Sequence, residues 1–292
     1  PDGRVLAVAR TRIPGGVDLW TRPGTAPHEV APGMPVAGLA VTDDGTQLAA
    51  VADDGAVRLI ALPAGDERVL ATPALARLRR RAIAIAPDGA RVVWAEVGGA
   101  LGVYEPGRDS RILPGTHGEV RELVLSADAA TVVAVTATAV VRWDLASGAE
   151  TVLGEIRGAD NLVRSPTSDE VAISDTSAAI HVIDTVTGRR RTLRGHDDDI
   201  SQLAYAPDGR ALVSASWDAT VRVWDLATDT SRIVPHEAPV AAATFTPDGA
   251  RIITADGNGT LAIVQDDLPR DEAGLRRFLA AATNLEVDPA AP

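Results

Sequence analysis

A repeat of about 40 residues runs through this chain and limits its folds more than any other feature. An Asp-Gly pair recurs as Asp2-Gly3, Asp44-Gly45, Asp88-Gly89, Asp208-Gly209 and Asp248-Gly249, with Asp128 and Asp169 holding degenerate versions between them. After each comes an apolar run, ending in turn at Trp20, Ile60, Tyr104, Trp143, Ile183, Trp224 and Val264. The steps between these ends are 40, 44, 39, 40, 41 and 40 residues. Loops vary in length and structural units do not, so two landmarks keeping one period over seven copies describe seven equivalent units. None can bury its own apolar face alone, so they must stack or close into a ring.

The unit near Leu193 to Val234 shows what repeats. Ile200-Ser-Gln-Leu-Ala-Tyr205 alternates like a strand. Ala206-Pro-Asp-Gly209 is a turn, in which Pro presets one φ and Gly accepts a positive one. Ala211 to Ser216 reads as a second strand, Asp218-Ala-Thr220 as a tight turn, and Val221-Arg-Val-Trp224 as a third strand. Ser231-Arg-Ile-Val234 supplies a fourth. Four short antiparallel strands, seven times over, predict an all-β, seven-bladed β-propeller of four-stranded blades.

Composition bounds the function. Hydrophobic residues make up 46% of 292, enough for a core, but aromatics are only 3%, so the core must be mostly Val, Ala, Leu and Ile. A formal net charge of −12 argues against nucleic-acid binding, whose affinity comes from cationic contacts to phosphate. There is no Cys, which excludes disulfides and thiolate metal sites, and all 28 basic residues are Arg, which excludes lysine-based chemistry. Such Ala, Gly, Asp and Val usage resembles the product of a GC-rich bacterial genome. No apolar stretch approaches the roughly 18–20 residues that span a bilayer, and no signal peptide is visible. The expectation is a cytoplasmic protein with a protein partner and with no cofactor, nucleic acid or membrane contact.

Gly195-His196, Asp218 and Trp224-Asp225 make the sixth unit resemble a WD40 repeat. That resemblance implies a hydrogen-bond chain inside the blade through His196, Ser214, Asp218 and Trp224. Asp can accept from the ring N–H of His, the second ring nitrogen can accept from the Ser hydroxyl, and that oxygen can accept from the indole N–H. The seventh unit holds His236, Thr254, Asn258 and Val264 at the same spacings; the fourth holds Trp143-Asp144, with His117 two residues out of register. The first keeps only Trp20, and the second, third and fifth lack both the His and the Trp. The Asp-Gly turns also resemble those of TolB-like and peptidase-associated propellers.

His196, Asp218 and Ser214 have the residue types of a hydrolytic triad, but they fall within one blade, which favours a structural role. No two of the five histidines share a metal-ligand spacing. Trp217, just before the Asp218 turn, belongs at the rim of the face carrying these turns and is a candidate interface anchor. Asp197, Asp198 and Asp199 fall on the same face, as do Arg77 and Arg79 with Arg80 and Arg81. These residues are the expected partner-binding face. Arg189-Arg-Arg191 opens an outer strand, where charge blocks edge-to-edge pairing.

The period divides the chain into a propeller over 1–267 and a tail over 268–292. Leu275, Phe278 and Leu279 share one helical face in the tail, after Pro269 and the acidic Asp271-Glu272. A tail of this kind resembles those closing C-terminal WD40 sensors in large bacterial proteins, such as signalling kinases and STAND-type NTPases. The first repeat begins after the place of its innermost strand and the seventh ends before its outermost, so a strand–loop–strand clasp upstream of Pro1 is expected. The competing reading is an enzyme or small-ligand binder acting at the channel, as in lactonase-like propellers. It would need converging His, Asp or Glu on the inner strands, which here read Ala37 to Val41, Ala84-Ile-Ala86, Leu123-Val-Leu125 and Ala242 to Phe245.

Overall fold

The computed structural model describes residues 6–10, 15–20, 26–71 and 82–265. They form seven antiparallel sheets, each made of consecutive strands, as the blades of a propeller. Blade one holds β1 (Leu6–Arg10), β2 (Gly16–Trp20) and β3 (His28–Val30). Blade two holds β4 (Val36–Val41), β5 (Gln47–Ala52), β6 (Val57–Ala61) and β7 (Glu67–Ala71). Blade three holds β8 (Ile83–Ile85), β9 (Val92–Ala95), β10 (Leu101–Tyr104) and β11 (Arg111–Leu113). Blade four holds β12 (Val120–Leu125), β13 (Thr131–Thr136), β14 (Ala139–Asp144) and β15 (Glu150–Glu155). Blade five holds β16 (Leu162–Arg164), β17 (Glu170–Ser174), β18 (Ala179–Asp184) and β19 (Arg190–Arg194). Blade six holds β20 (Ile200–Tyr205), β21 (Ala211–Ser216), β22 (Thr220–Asp225) and β23 (Thr230–Pro235). Blade seven holds β24 (Val240–Phe245), β25 (Arg251–Asp256) and β26 (Leu261–Gln265). Among the described residues, blade one thus has the second to fourth strands of the pattern and blade seven the first to third. The expected tail helix with Leu275, Phe278 and Leu279 lies outside the described residues.

The strands read as they do because of where they sit. The second strand of a blade is covered on both faces by neighbouring blades, so it is a continuous apolar run, as in β13 (TVVAVT) and β21 (ALVSAS). Outer strands face water on one side and are mixed, as in β15 and β23. Among the described residues the core divides into six clusters, each shared by two successive blades. The first strands β4, β8, β12, β16, β20 and β24 touch in series, placing them along the axis.

The Asp-Gly period has a physical origin. Asp44, Asp88, Asp208 and Asp248 each accept, through Oδ1, the N–H two residues on, at 2.9–3.0 Å. The intervening Gly45, Gly89, Gly209 and Gly249 take φ of 67–72°, which costs a residue with a Cβ. Asp128 makes the same bond across Ala129, which tolerates φ 52°. In blade five the Ser165 hydroxyl replaces the carboxylate, accepting from the N–H groups of Thr167 and Ser168.

A second regularity was not visible in the sequence. The first strand bulges just after its first residue in blades two, four, six and seven, at Ala37, Arg121, Ser201 and Ala241. A bulge re-aims the side chain it leaves unpaired. Ser201 Oγ donates to the Val240 carbonyl and Arg121 to that of Ala159, each one blade on. Asn161 Nδ2 donates to the Ile200 carbonyl and Glu122 Oε2 accepts from the Leu162 N–H, so the inner ring is stitched by side chains one repeat from their partners. At the far ends of the strands Arg91, Arg111 and Arg142 reach the carbonyls of Ala129, Leu145 and Thr185 in the same manner.

Candidate functional site

In blade six, the loop before β20, strand β21, the β21–β22 turn and strand β22 bring four side chains together. His196 Nδ1 lies 2.7 Å from Asp218 Oδ2 and His196 Nε2 lies 2.7 Å from Ser214 Oγ. The Trp224 indole N–H donates to the same Ser214 oxygen at 2.9 Å. An ionised carboxylate only accepts, so Nδ1 carries the ring proton and Nε2 accepts from the Ser214 hydroxyl. Asp218 also accepts from the Thr220 hydroxyl and N–H through Oδ1 and from the Asp197 N–H through Oδ2. Burial pushes the Asp218 carboxyl up, but these bonds outweigh it and hold it down at about 2. Burial lowers the His196 pKa, and the opposing pull of Asp218 does not restore it, so the ring is neutral near pH 7. The connectivity is that of a hydrolytic triad and the exposure is not. Ser214 is 0% exposed, and its oxygen already takes the indole N–H, so it meets no substrate.

Residues 188–225 match the family model described as WD domain, G-beta repeat. This stretch is similar to a WD40 repeat. The matched stretch begins at the approach to β19 of blade five and ends at the last residue of β22, so the WD40 repeat in sequence is offset by one strand from the blade. It therefore binds two blades covalently, and Trp224 packs with Ile180, Val182 and Leu193 of blade five. The relatives agree with this over short stretches. The chain is 34% identical to the "Periodic tryptophan protein 2 homolog" of Neurospora crassa over 114 residues, 38% of this chain and 13% of that protein. It is 39% identical over 69 residues to an uncharacterized WD repeat-containing protein of Synechocystis sp., 23% of this chain and 20% of that one. It is 44% identical over 68 residues to the "U3 small nucleolar RNA-associated protein 21" of Saccharomyces cerevisiae, 23% of this chain and 7% of that protein. The chain thus spans a minor part of each of these relatives.

Elsewhere the WD40 pattern decays, in ways the spacing did not show. In blade seven the residue types recur without the bonds. Among the described residues, His236 Nε2 and Thr254 Oγ1 are buried with no hydrogen-bond partner. Val264 has no side-chain N–H to give, and Asp256 serves the turn instead, accepting from the Asn258 and Thr260 N–H groups. In blade four, His117 Nδ1 lies 2.9 Å from Glu150 Oε2, and Trp143 Nε1 is buried without a partner. Blade five has a His–Asp pair of its own, missed in the sequence because the His lies on the third strand. His181 Nε2 lies 2.7 Å from Asp175 Oδ2 and Nδ1 lies 3.2 Å from Thr192 Oγ1. No group of three or more His, Asp or Glu that could hold a metal occurs among the described residues.

The network also shapes the surface beside it. Ser216 Oγ donates to the Asp198 carbonyl and the Trp217 N–H to that of Asp199, clamping the acidic loop to the turn. Asp197, Asp198 and Asp199 are exposed, and Trp217 is 55% exposed. Next to them opens a cavity of about 440 Å3 whose lining includes Arg121, Asp160, Asp175, Asp199, Ser201 and Trp217. Blades four, five and six all contribute to it. The sequence marked Trp217 and Asp199 through their place beside the turn. It could not mark Arg121 and Ser201, which reach the cavity because their strands bulge. Arg77 and Arg79 lie outside the described residues. Arg191 makes ion pairs with Glu170 of its own blade at 3.3 Å and with Asp229 of blade six at 3.5 Å, so it is engaged in tying two blades together.

Proposed function

We propose that the chain is a non-catalytic interaction scaffold and that it binds a protein partner through the face carrying Trp217 and Asp197–Asp199. The observation that carries this is the exposed indole of Trp217, tied by one backbone bond to an acidic loop at the mouth of a three-blade cavity. Exposed aromatics on rigid turns lose little entropy on binding and are frequent interface anchors. The Ser214–His196–Asp218 set, which has the residue types of a hydrolytic triad, is sealed inside blade six. We further propose that the segment serves as the C-terminal WD40 regulatory domain of a larger cytoplasmic bacterial protein of the signalling-kinase or STAND NTPase kind. The composition and the tail pattern support that context, and the match to the cyanobacterial protein is compatible with it.

The test is partner binding by single variants. Trp217→Ala is expected to weaken capture of the partner at least tenfold while the melting temperature stays put. If binding survives and is lost instead in a variant with Arg189, Arg190 and Arg191 changed to Ser, the face is misassigned.

A further inference from the structure

We propose that the cavity beside Trp217 takes the guanidinium of an arginine presented by the partner protein, stacked on the Trp217 indole and paired with the Asp199 carboxylate; this rests on the binding face assigned above. Four observations converge. The cavity has room for a whole side chain, at about 440 Å3. One wall is an exposed indole, and a planar guanidinium stacks on an indole face where a compact ammonium only touches it. The lining holds Asp160, Asp175 and Asp199 against Arg121 alone as a cation among its described residues. Asp175 is ionised near pH 7, because the bonds from His181, Ser177 and the Ala179 N–H outweigh the burial that would raise it.

The carboxylates divide the work. Asp175 is bound to His181 and Ser177, so it is a fixed negative charge rather than a mobile ligand. Asp199 sits in the exposed loop, one hydrogen bond from Trp217 through its carbonyl, and is a residue of the cavity wall whose carboxylate is free of the His181 and Ser177 bonds that fix Asp175. Arg121 opposes an incoming cation. Its guanidinium donates to the Ala159 carbonyl at 3.4 Å, near the outer limit of a hydrogen bond, so little holds it in place. Removing it should therefore strengthen binding, an effect of a sign that general damage to the fold does not produce.

The probe is N-acetyl-arginine methylamide, titrated into the whole chain at low salt and followed by the Trp217 indole N–H resonance, assigned with Trp217→Phe. A saturable shift is expected, with N-acetyl-citrulline methylamide, of the same shape without the charge, at least about fivefold weaker. Asp199→Asn should weaken the arginine probe about fivefold and Arg121→Ala should tighten it about twofold or more. A shift as large with the citrulline probe, no shift at all, or a loss in Arg121→Ala would overturn the proposal. Should that happen while Trp217→Ala still abolishes partner capture, the face stands and only its chemistry is wrong. Should Trp217→Ala leave partner capture intact, the face itself is lost.

Discussion

Blades six and seven are neighbours with nearly the same residue types, and they solve burial differently. Blade six has Trp224 where blade seven has Val264, and Asp218 where it has Asn258. With the Trp and the Asp in place, every member of the chain in blade six has a donor or acceptor opposite it. Without them, His236 Nε2 and Thr254 Oγ1 are buried and unpaired. A polar network is an all-or-none device: complete, it fixes one packing of a blade made of small aliphatics, and incomplete, it leaves desolvated atoms worse off than an apolar core.

The largest expected difference follows from the indole. Trp224 is 2% exposed and packs into the core between blades five and six. Trp224→Ala should cost about 3–5 kcal/mol, combining a cavity with the loss of a donor to Ser214. Val264→Ala, at the matching place in blade seven, should cost about 1 kcal/mol. Equal losses in chemical denaturation would mean that the two blades do not differ as described.

Asp218→Ala comes next, at about 1–3 kcal/mol, because His196 would keep a buried donor and Thr220 a partly buried one with nothing to accept them. Asn258→Ala should change stability by less than about 0.5 kcal/mol. The same network predicts an acid limb. Both Asp218 and His196 have folded pKa values below their ordinary ones, so the unfolded chain binds more protons as pH falls. Their contribution is complete above about 6.5. The His196 part fades as pH drops below that value, and the Asp218 part fades between 3.8 and about 2. A double variant, His196→Gln with Asp218→Asn, should show a shallower fall of melting temperature from pH 7 to pH 3 than the parent. Parallel curves would place the acid sensitivity elsewhere.

How much of this was legible in the sequence depends on whether the cause was local. The Asp-Gly turns were readable because the bond that holds them spans two residues and needs one side chain. The strands followed from apolar runs between those turns. His196, Ser214, Asp218 and Trp224 could be proposed as a set because their spacing resembles a known repeat. Spacing alone misled in blade seven, where the residue types stand in place and the bonds do not form. It was silent about His181 and Asp175, whose pairing joins a third-strand side chain to the turn before it. It was silent, too, about Arg121 and Ser201, since a bulge is a property of two paired strands. The cavity is therefore half readable: its rim residues announce themselves, and its walls arise only when three blades meet.

The smallest predicted effect is the sharpest test of the comparison, because its sign is at stake. Thr254 is 1% exposed and occupies in blade seven the place that Ser214 holds in blade six. Removing the Ser214 hydroxyl takes away the acceptor of the Trp224 N–H and the donor to His196, so Ser214→Ala should be destabilising by about 1–3 kcal/mol. Thr254→Val keeps the shape of the side chain and removes an oxygen that has no partner. It should leave stability unchanged or raise it by up to about 1 kcal/mol, as expected when an unsatisfied buried polar atom is replaced by an apolar one. The gain arises because the hydroxyl is hydrated in the unfolded chain and unpaired in the folded one, so its removal abolishes a desolvation cost of folding. A loss of more than about 1 kcal/mol in Thr254→Val would mean that the hydroxyl is satisfied in solution, for instance through a water shared with His236 Nε2. Blade seven would then hold a working network of its own, with water in the place of the indole.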